Sequence, residues 1–138
     1  MCLGRLKSGE QFSSGFLHQD IKLFCNNRLI HIEKNQLHAA SPMFVSIAGF
    51  NNKPVFANFF VFDQAFVQPE NNELIAELEK ELLDLSQEAN HGEQPYCIAM
   101  TQKQQLLIIR YLGDNAQTAQ SLFKMIWQRL RPIVKRQP

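Results

Sequence analysis

Phosphate chemistry calls for a glycine-rich loop, and Gly4-Arg5-Leu6-Lys7-Ser8-Gly9-Glu10 carries the glycine spacing of one. Such a loop needs a lysine after its second glycine, and Glu10 stands there instead, with a charge that repels the phosphates the backbone would cradle. The segment is read as a tight, solvent-facing turn. Metal chemistry calls for clustered ligands, and His18, His31, His38 and His91 show neither HxxxH nor HExxH spacing. His31, flanked by Ile30 and Ile32 on an extended run, is the histidine placed to face a partner or a cavity. Glu10, Glu33 and His31 are the residues that could meet in the fold and pass a metal in transit. Nucleophilic catalysis calls for an activated Ser or Cys. Ser46-Ile47-Ala48-Gly49 lacks the Gly-x-Ser-x-Gly elbow, and Cys2, Cys25 and Cys97 form no CxxC pair. The cysteines are read as reduced thiols, with Cys25 and Cys97 as small buried hydrophobes. No pair of acids stands out for glycoside hydrolysis, because most of them share one helical face. Lys124, Arg129, Arg131, Lys135 and Arg136 make a modest basic patch. Its neighbours Phe123 and Trp127 fall on the apolar stripe, so the interleaving of bases with exposed rings that nucleic-acid modules use is lacking. A protein-docking face with a Trp anchor and Arg neighbours fits better. The reading is of a non-enzyme.

The elements that position these residues begin with strands. Ile21, Leu23 and Cys25 alternate with Lys22 and Phe24, Asn26-Asn27 interrupts, and Leu29-Ile30-His31-Ile32 resumes, which predicts a hairpin. Asn51-Asn52-Lys53-Pro54 predicts a turn, and Val55-Phe56-Ala57-Asn58-Phe59-Phe60-Val61-Phe62 a strand covered on both faces or buried in a layered sheet. Leu74, Ile75, Leu78, Leu82 and Leu85 follow a 3.6-residue period between acids, predicting a helix at about 70–87. Asn71 or Asn72 is expected to cap it, and Gly92 to supply a left-handed cap or a loop near its end at Asn90-His91-Gly92. A second hairpin is expected from Tyr96-Cys97-Ile98-Ala99-Met100 and the run from Gln105 to Leu112. Asp114, three residues before Gln117, suggests a capping box. Ala116, Ala119, Leu122, Phe123, Ile126, Trp127 and Leu130 then form an apolar stripe over about 115–131, stopped by Pro132. The order gives a β-rich α+β fold of stacked strands and hairpins with two amphipathic helices, and no βαβ alternation.

The whole chain has 138 residues, 45% of them hydrophobic and 20% charged, which places it with folded domains. Its net charge of +1 excludes a globally basic nucleic-acid binder. No apolar run approaches a membrane span and no secretory leader is read at Met1-Cys2-Leu3-Gly4-Arg5. The net charge hides segregation. Residues 70–101 hold eight acids and one lysine (−7), and residues 102–138 hold seven bases and one acid (+6). The two segments either touch each other, form separate docking faces, or are two solvated helix faces of opposite sign.

Several strings resemble one family. Leu3-Gly4-Arg5 followed by Gly9-Glu10, Pro54-Val55-Phe56, Arg110-Tyr111-Leu112-Gly113-Asp114, and Trp127-x-x-Leu130-Arg131-Pro132 are similar, in order and separation, to segments of the urease accessory protein D family (UreD, also called UreH). The resemblance implies a β-rich, non-catalytic scaffold that acts in the cytoplasm as a chaperone of metallocentre assembly. It implies partners in the urease apoprotein, UreF and the GTPase UreG, with nickel as a transient cargo, no stably bound cofactor, and GTP held by UreG. It assigns Arg110, Gly113 and Asp114 to ordering the turn before the last helix, and Arg5, Gly9 and Glu10 to the first turn or the nickel route. The pattern matched is the C-terminal half of the family's, so the expectation is of one domain segment, 1–138, without the N-terminal half. The alternative is a small stand-alone adaptor that docks a partner through its acidic and basic helices.

Overall fold

The computed structural model describes residues 16–38 and 55–134, which fall in two compact units. The first is a hairpin of β1 (Phe16–Cys25) and β2 (Arg28–His38), antiparallel, joined by the two-residue turn Asn26-Asn27. Both asparagines are left-handed, at φ 51° and 62°, the conformation that a twisted two-residue hairpin turn demands and that asparagine tolerates without a glycine partner. The register shifts between Leu23, opposite His31, and Phe24, opposite Leu29, which leaves Ile30 as the extra residue of a β-bulge.

The second unit orders β3 (Val55–Phe62), two 3-10 turns (Gln64–Val67 and Pro69–Asn71), α1 (Asn72–Ala89), β4 (Cys97–Lys103), β5 (Leu106–Gly113) and α2 (Ala116–Leu130). Its antiparallel sheet runs β3-β5-β4, so β5 pairs both with β4, which precedes it between the two helices, and with β3, which precedes both helices. The fold is a β-rich α+β arrangement.

Both helices are amphipathic and bury their apolar arcs on one face of this sheet. Ile75, Leu78 and Leu82 of α1 and Ala119, Leu122, Ile126 and Leu130 of α2 share a core with Val55, Val61, Ile98, Met100, Leu107, Ile109 and Tyr111. Phe123 stacks on Phe59 with ring centroids 5.5 Å apart. β5 is apolar on its other face too, where Leu106 and Ile108 are buried. The strand covered on both faces is therefore β5. β3, the expected one, is an edge strand in which only Val55 and Val61 are buried and Phe62 is exposed.

Local chemistry moved several expected boundaries. The 3-10 turn Pro69–Asn71 takes up the start of α1, and Asn71 occupies the cap position without capping. Its side-chain amide donates instead to the Ala65 carbonyl, 2.8 Å away, locking the two 3-10 turns together. Gly92 lies outside the left-handed region, and a side chain there would meet only the Ala89 carbonyl at 3.5 Å, so glycine is not required. α2 is capped by Asn115, not Asp114: its Oδ1 accepts from the Gln117 and Thr118 amides at 2.8 and 3.4 Å. The cap sits where the backbone is still extended, one residue later than the box spacing suggests. Cys25 is half-buried and Cys97 exposed, against the expectation of two buried thiols. The turn expected at 51–54 lies outside the described residues, as do Cys2, Ser46 and Gly49.

The opposite charges of the two helices meet at one place. Arg129 of α2 donates to the Glu81 carboxylate of α1, and both side chains are more than a third exposed. A pair this solvated contributes about 0–1 kcal/mol. The other charged side chains of the two helices are exposed, so among the described residues two solvated faces with a single point of contact describe the segregation.

Candidate functional site

Apart from Val55 and Phe56 on β3, the family-like residues described in the second unit fall at the two ends of α2. At its start, Tyr111 on β5 is buried and its hydroxyl donates to the Asn115 carbonyl at 3.0 Å, tying strand to helix cap. Burial raises the Tyr111 phenol above its ordinary value of 10.0, a shift the Asn115 hydrogen bond opposes and the Asp114 charge reinforces. Tyr96 lies tilted against it with ring centroids 5.7 Å apart. Gly113 is what lets this cluster close. A Cβ there would lie 2.3 Å from the Tyr111 hydroxyl oxygen and 3.0 Å from the Tyr96 Cβ. Arg110 is exposed on the opposite face of β5, and Asp114 is half-buried just before the cap. The chemistry of this corner is positional: it fixes where α2 leaves the sheet.

At the far end, Leu130 is buried, and the Trp127 carbonyl accepts from the Arg131 amide at 2.8 Å. Pro132 has no amide to continue the ladder, and the Leu130 carbonyl takes the Ile133 and Val134 amides at 3.1 and 3.2 Å. This turn folds Ile133 and Val134 back against the core. Trp127 was expected on the core stripe, yet it is 38% exposed. The buried arc is centred on Leu122, Ile126 and Leu130, and the residue after Ile126 is turned about 100° away from it. Thirteen residues separate Asp114 from Trp127, roughly 20 Å along a helix, so these two groups form no common site.

In the hairpin, the His31 Nε2 lies 3.7 Å from the Glu33 Oε1, with the two side chains only 10% and 11% exposed. Gly4, Arg5, Gly9 and Glu10, and the bases Lys135 and Arg136, lie outside the described residues. Among the described residues no three His, Cys, Asp or Glu side chains gather where they could hold a metal ion. A shallow groove of about 310 Å³ between α1 and β4 is lined by Ala76, Glu79, Lys80, Leu83, Ile98, Ala99 and Met100, with Glu79 and Lys80 as its charged groups. No helix of the described residues is long and apolar enough to cross a membrane.

Two contributors escaped the sequence reading. Ser86 sits one helical turn after Leu82 on the buried side of α1, where its Oγ accepts from the Ile98 amide and donates to the Ile98 carbonyl, both at 2.8 Å. A serine in phase with a leucine stripe was the available signal. Asn115 was the other, an Asn directly before a helical run.

The arrangement is one of ordered corners and exposed helix faces, and comparison with known proteins agrees with its sequence signatures. The sequence model of "UreD urease accessory protein" matches residues 1–138. The chain is 28% identical over 134 residues to the urease accessory protein UreD of Psychromonas ingrahamii, covering 96% of this chain and 44% of that protein. It is 31% identical over 135 residues to the UreD of Janthinobacterium sp. (strain Marseille), covering 96% and 41%. It is also 31% identical over 136 residues to the UreD of Saccharophagus degradans, covering 99% and 43%. The chain thus spans less than half the length of these relatives while being matched along nearly all of its own. With the strings around Gly113 and Trp127 in place on the fold, the conclusion is direct: this chain belongs to the UreD urease accessory protein family.

Proposed function

We propose that the chain acts in urease maturation as a non-catalytic scaffold, docking UreF, the GTPase UreG and the urease apoprotein in the cytoplasm while nickel is delivered to the enzyme. The observation that carries this reading is the family match along all 138 residues. The fold supports it in kind: the ordered corner at Tyr111 and Gly113 and the half-exposed Trp127 are positioning and contact chemistry. GTP is bound by UreG in this reading, and nickel passes as cargo. His31 and Glu33 are the described side chains nearest to a transit role, with Glu10 as the further candidate. The decisive experiment is retention of UreF on the immobilised chain, together with urease activity and urease nickel content in cells lacking its gene. Retention, with loss of both activity and nickel, is expected. Urease that remains fully active and fully nickel-loaded in the deletion strain sinks the maturation role. Urease-independent behaviour would instead favour a stand-alone adaptor.

A further inference from the structure

The hairpin carries apolar side chains on both faces, the more exposed one included. Its two faces alternate, and the less exposed one carries Gln19 and Asn35, joined by a 3.3 Å hydrogen bond, then Ile21 beside Glu33 and Leu23 beside His31. The more exposed face carries the large apolar side chains. Phe24 is 61%, Leu29 42% and Ile32 46% exposed. The bulge sets which apolar residue faces Phe24. Strict alternation from Ile32 would put Leu29 on the face of His31, and the extra residue Ile30 flips it back to lie directly opposite Phe24. Stepping away from the turn, the outward pairs are Phe24–Leu29, then Lys22–Ile32, then Asp20–Lys34. Phe24, Leu29 and Ile32 thus lie together in water, and a contiguous exposed patch of this kind marks a contact surface.

Charge says what the contact is. Asp20 and Lys34 oppose each other, which leaves Lys22 beside Ile32 and Arg28 at the turn as the excess around the patch. We propose that the outward face of this hairpin, centred on Phe24, Leu29 and Ile32, docks an amphipathic segment of a partner protein whose apolar side chains are bordered by carboxylates. An anionic lipid surface shares the charge preference but not the shape. The extreme end of the hairpin is Asn26-Asn27-Arg28, all exposed, and insertion would carry them into hydrocarbon ahead of the apolar groups. The patch is a flat, pleated face behind a polar end, which suits a helix or strand laid across it. The proposal rests on the scaffold reading only for the occupant being a protein.

The test uses the whole chain and a labelled synthetic peptide of about 18 residues, roughly five helical turns, with Leu at i, i+3, i+4 and i+7 spacing and Glu between. A matched peptide carries Lys in place of Glu. Fluorescence anisotropy should show the acidic peptide binding at least about tenfold more tightly than the basic one, and Phe24→Ser weakening it by about tenfold. Should Phe24→Ser disturb folding, as circular dichroism would reveal, the double variant Lys22→Glu with Arg28→Glu must reverse the peptide preference. Equal binding of both peptides, or acidic-peptide affinity untouched by these variants, overturns the proposal. So does flotation with phosphatidylserine vesicles that Phe24→Ser abolishes while peptide binding persists. Dimerisation of the wild-type chain that Phe24→Ser abolishes overturns it likewise, since a second copy is then the occupant. A chain that binds the acidic peptide through Phe24 but retains no UreF supports this surface and counts against the scaffold reading. One that retains UreF but ignores the peptide removes the surface alone.

Discussion

Residues 55–134 and residues 16–38 solve the problem of an apolar side chain in opposite ways. In the second unit, two amphipathic helices lie on one face of a three-stranded sheet, and every fully buried hydrophobic side chain among the described residues belongs to it. In the hairpin, none of residues 18–36 is fully buried, and Phe24, Leu29 and Ile32 are exposed. A two-stranded hairpin is marginal in water without a covering layer. Stability and contact chemistry are therefore divided between the units: one spends its hydrophobic surface on its own core, the other presents it.

Substitutions can break or sharpen that division. Leu78 is completely buried on α1, and Leu78→Ala should cost about 2–5 kcal/mol in chemical denaturation, because the cavity sits between helix and sheet. Gly113→Ala should cost about 1–3 kcal/mol, since the new methyl overlaps the Tyr111 hydroxyl and must push the ring pair apart. A near-neutral Gly113→Ala would mean that the corner is looser than its geometry.

Tyr111 adds a pH signature to the core. The unfolded chain releases the phenol proton near 10.0, while burial holds it on the folded chain to higher pH. The associated stability is intact below pH 10 and is lost as pH climbs through the raised value. Denaturation midpoints followed from neutral to strongly alkaline pH should fall more steeply for wild type than for Tyr111→Phe. Parallel curves would refute the assignment. The smallest effect belongs to the hairpin. Phe24→Ser should change the stability of the chain by less than about 0.5 kcal/mol, because an exposed side chain has little packing to lose. A cost comparable to Leu78→Ala would erase the contrast between the units.

Much of the second unit was legible because its signals are periodic. The leucines of α1 and the Leu122–Ile126–Leu130 series of α2 repeat at helical spacing, and both helices appear within two residues of expectation. Asn26-Asn27 announced the hairpin turn. What stayed hidden depended on sheet order and on parity. Nothing local to Val55–Phe62 says that it would lie at an edge while Leu106–Gly113 took the centre, because both are apolar runs. The bulge at Ile30 is one residue long, yet it decides which way Leu29 points. Trp127 looked like core because it follows the stripe, and one step of helical rotation carried it to the surface. The family-like strings were readable as strings, but only the fold shows that Gly113 is demanded by Tyr111 and Tyr96.

The serine on α1 has a consequence for how this sheet meets other sheets. β4 borders the sheet, and a bordering strand ordinarily offers its outward amides and carbonyls to any extended chain that drifts by. At Ile98 both are already engaged by the single hydroxyl of Ser86, which acts as a one-atom substitute for a neighbouring strand. Growth of the sheet past that point would first have to evict it. The Ile98 amide should accordingly exchange with deuterium as slowly as the amides that β4 shares with β5, and a terminus-to-terminus stacking of copies through this border is closed off by one oxygen.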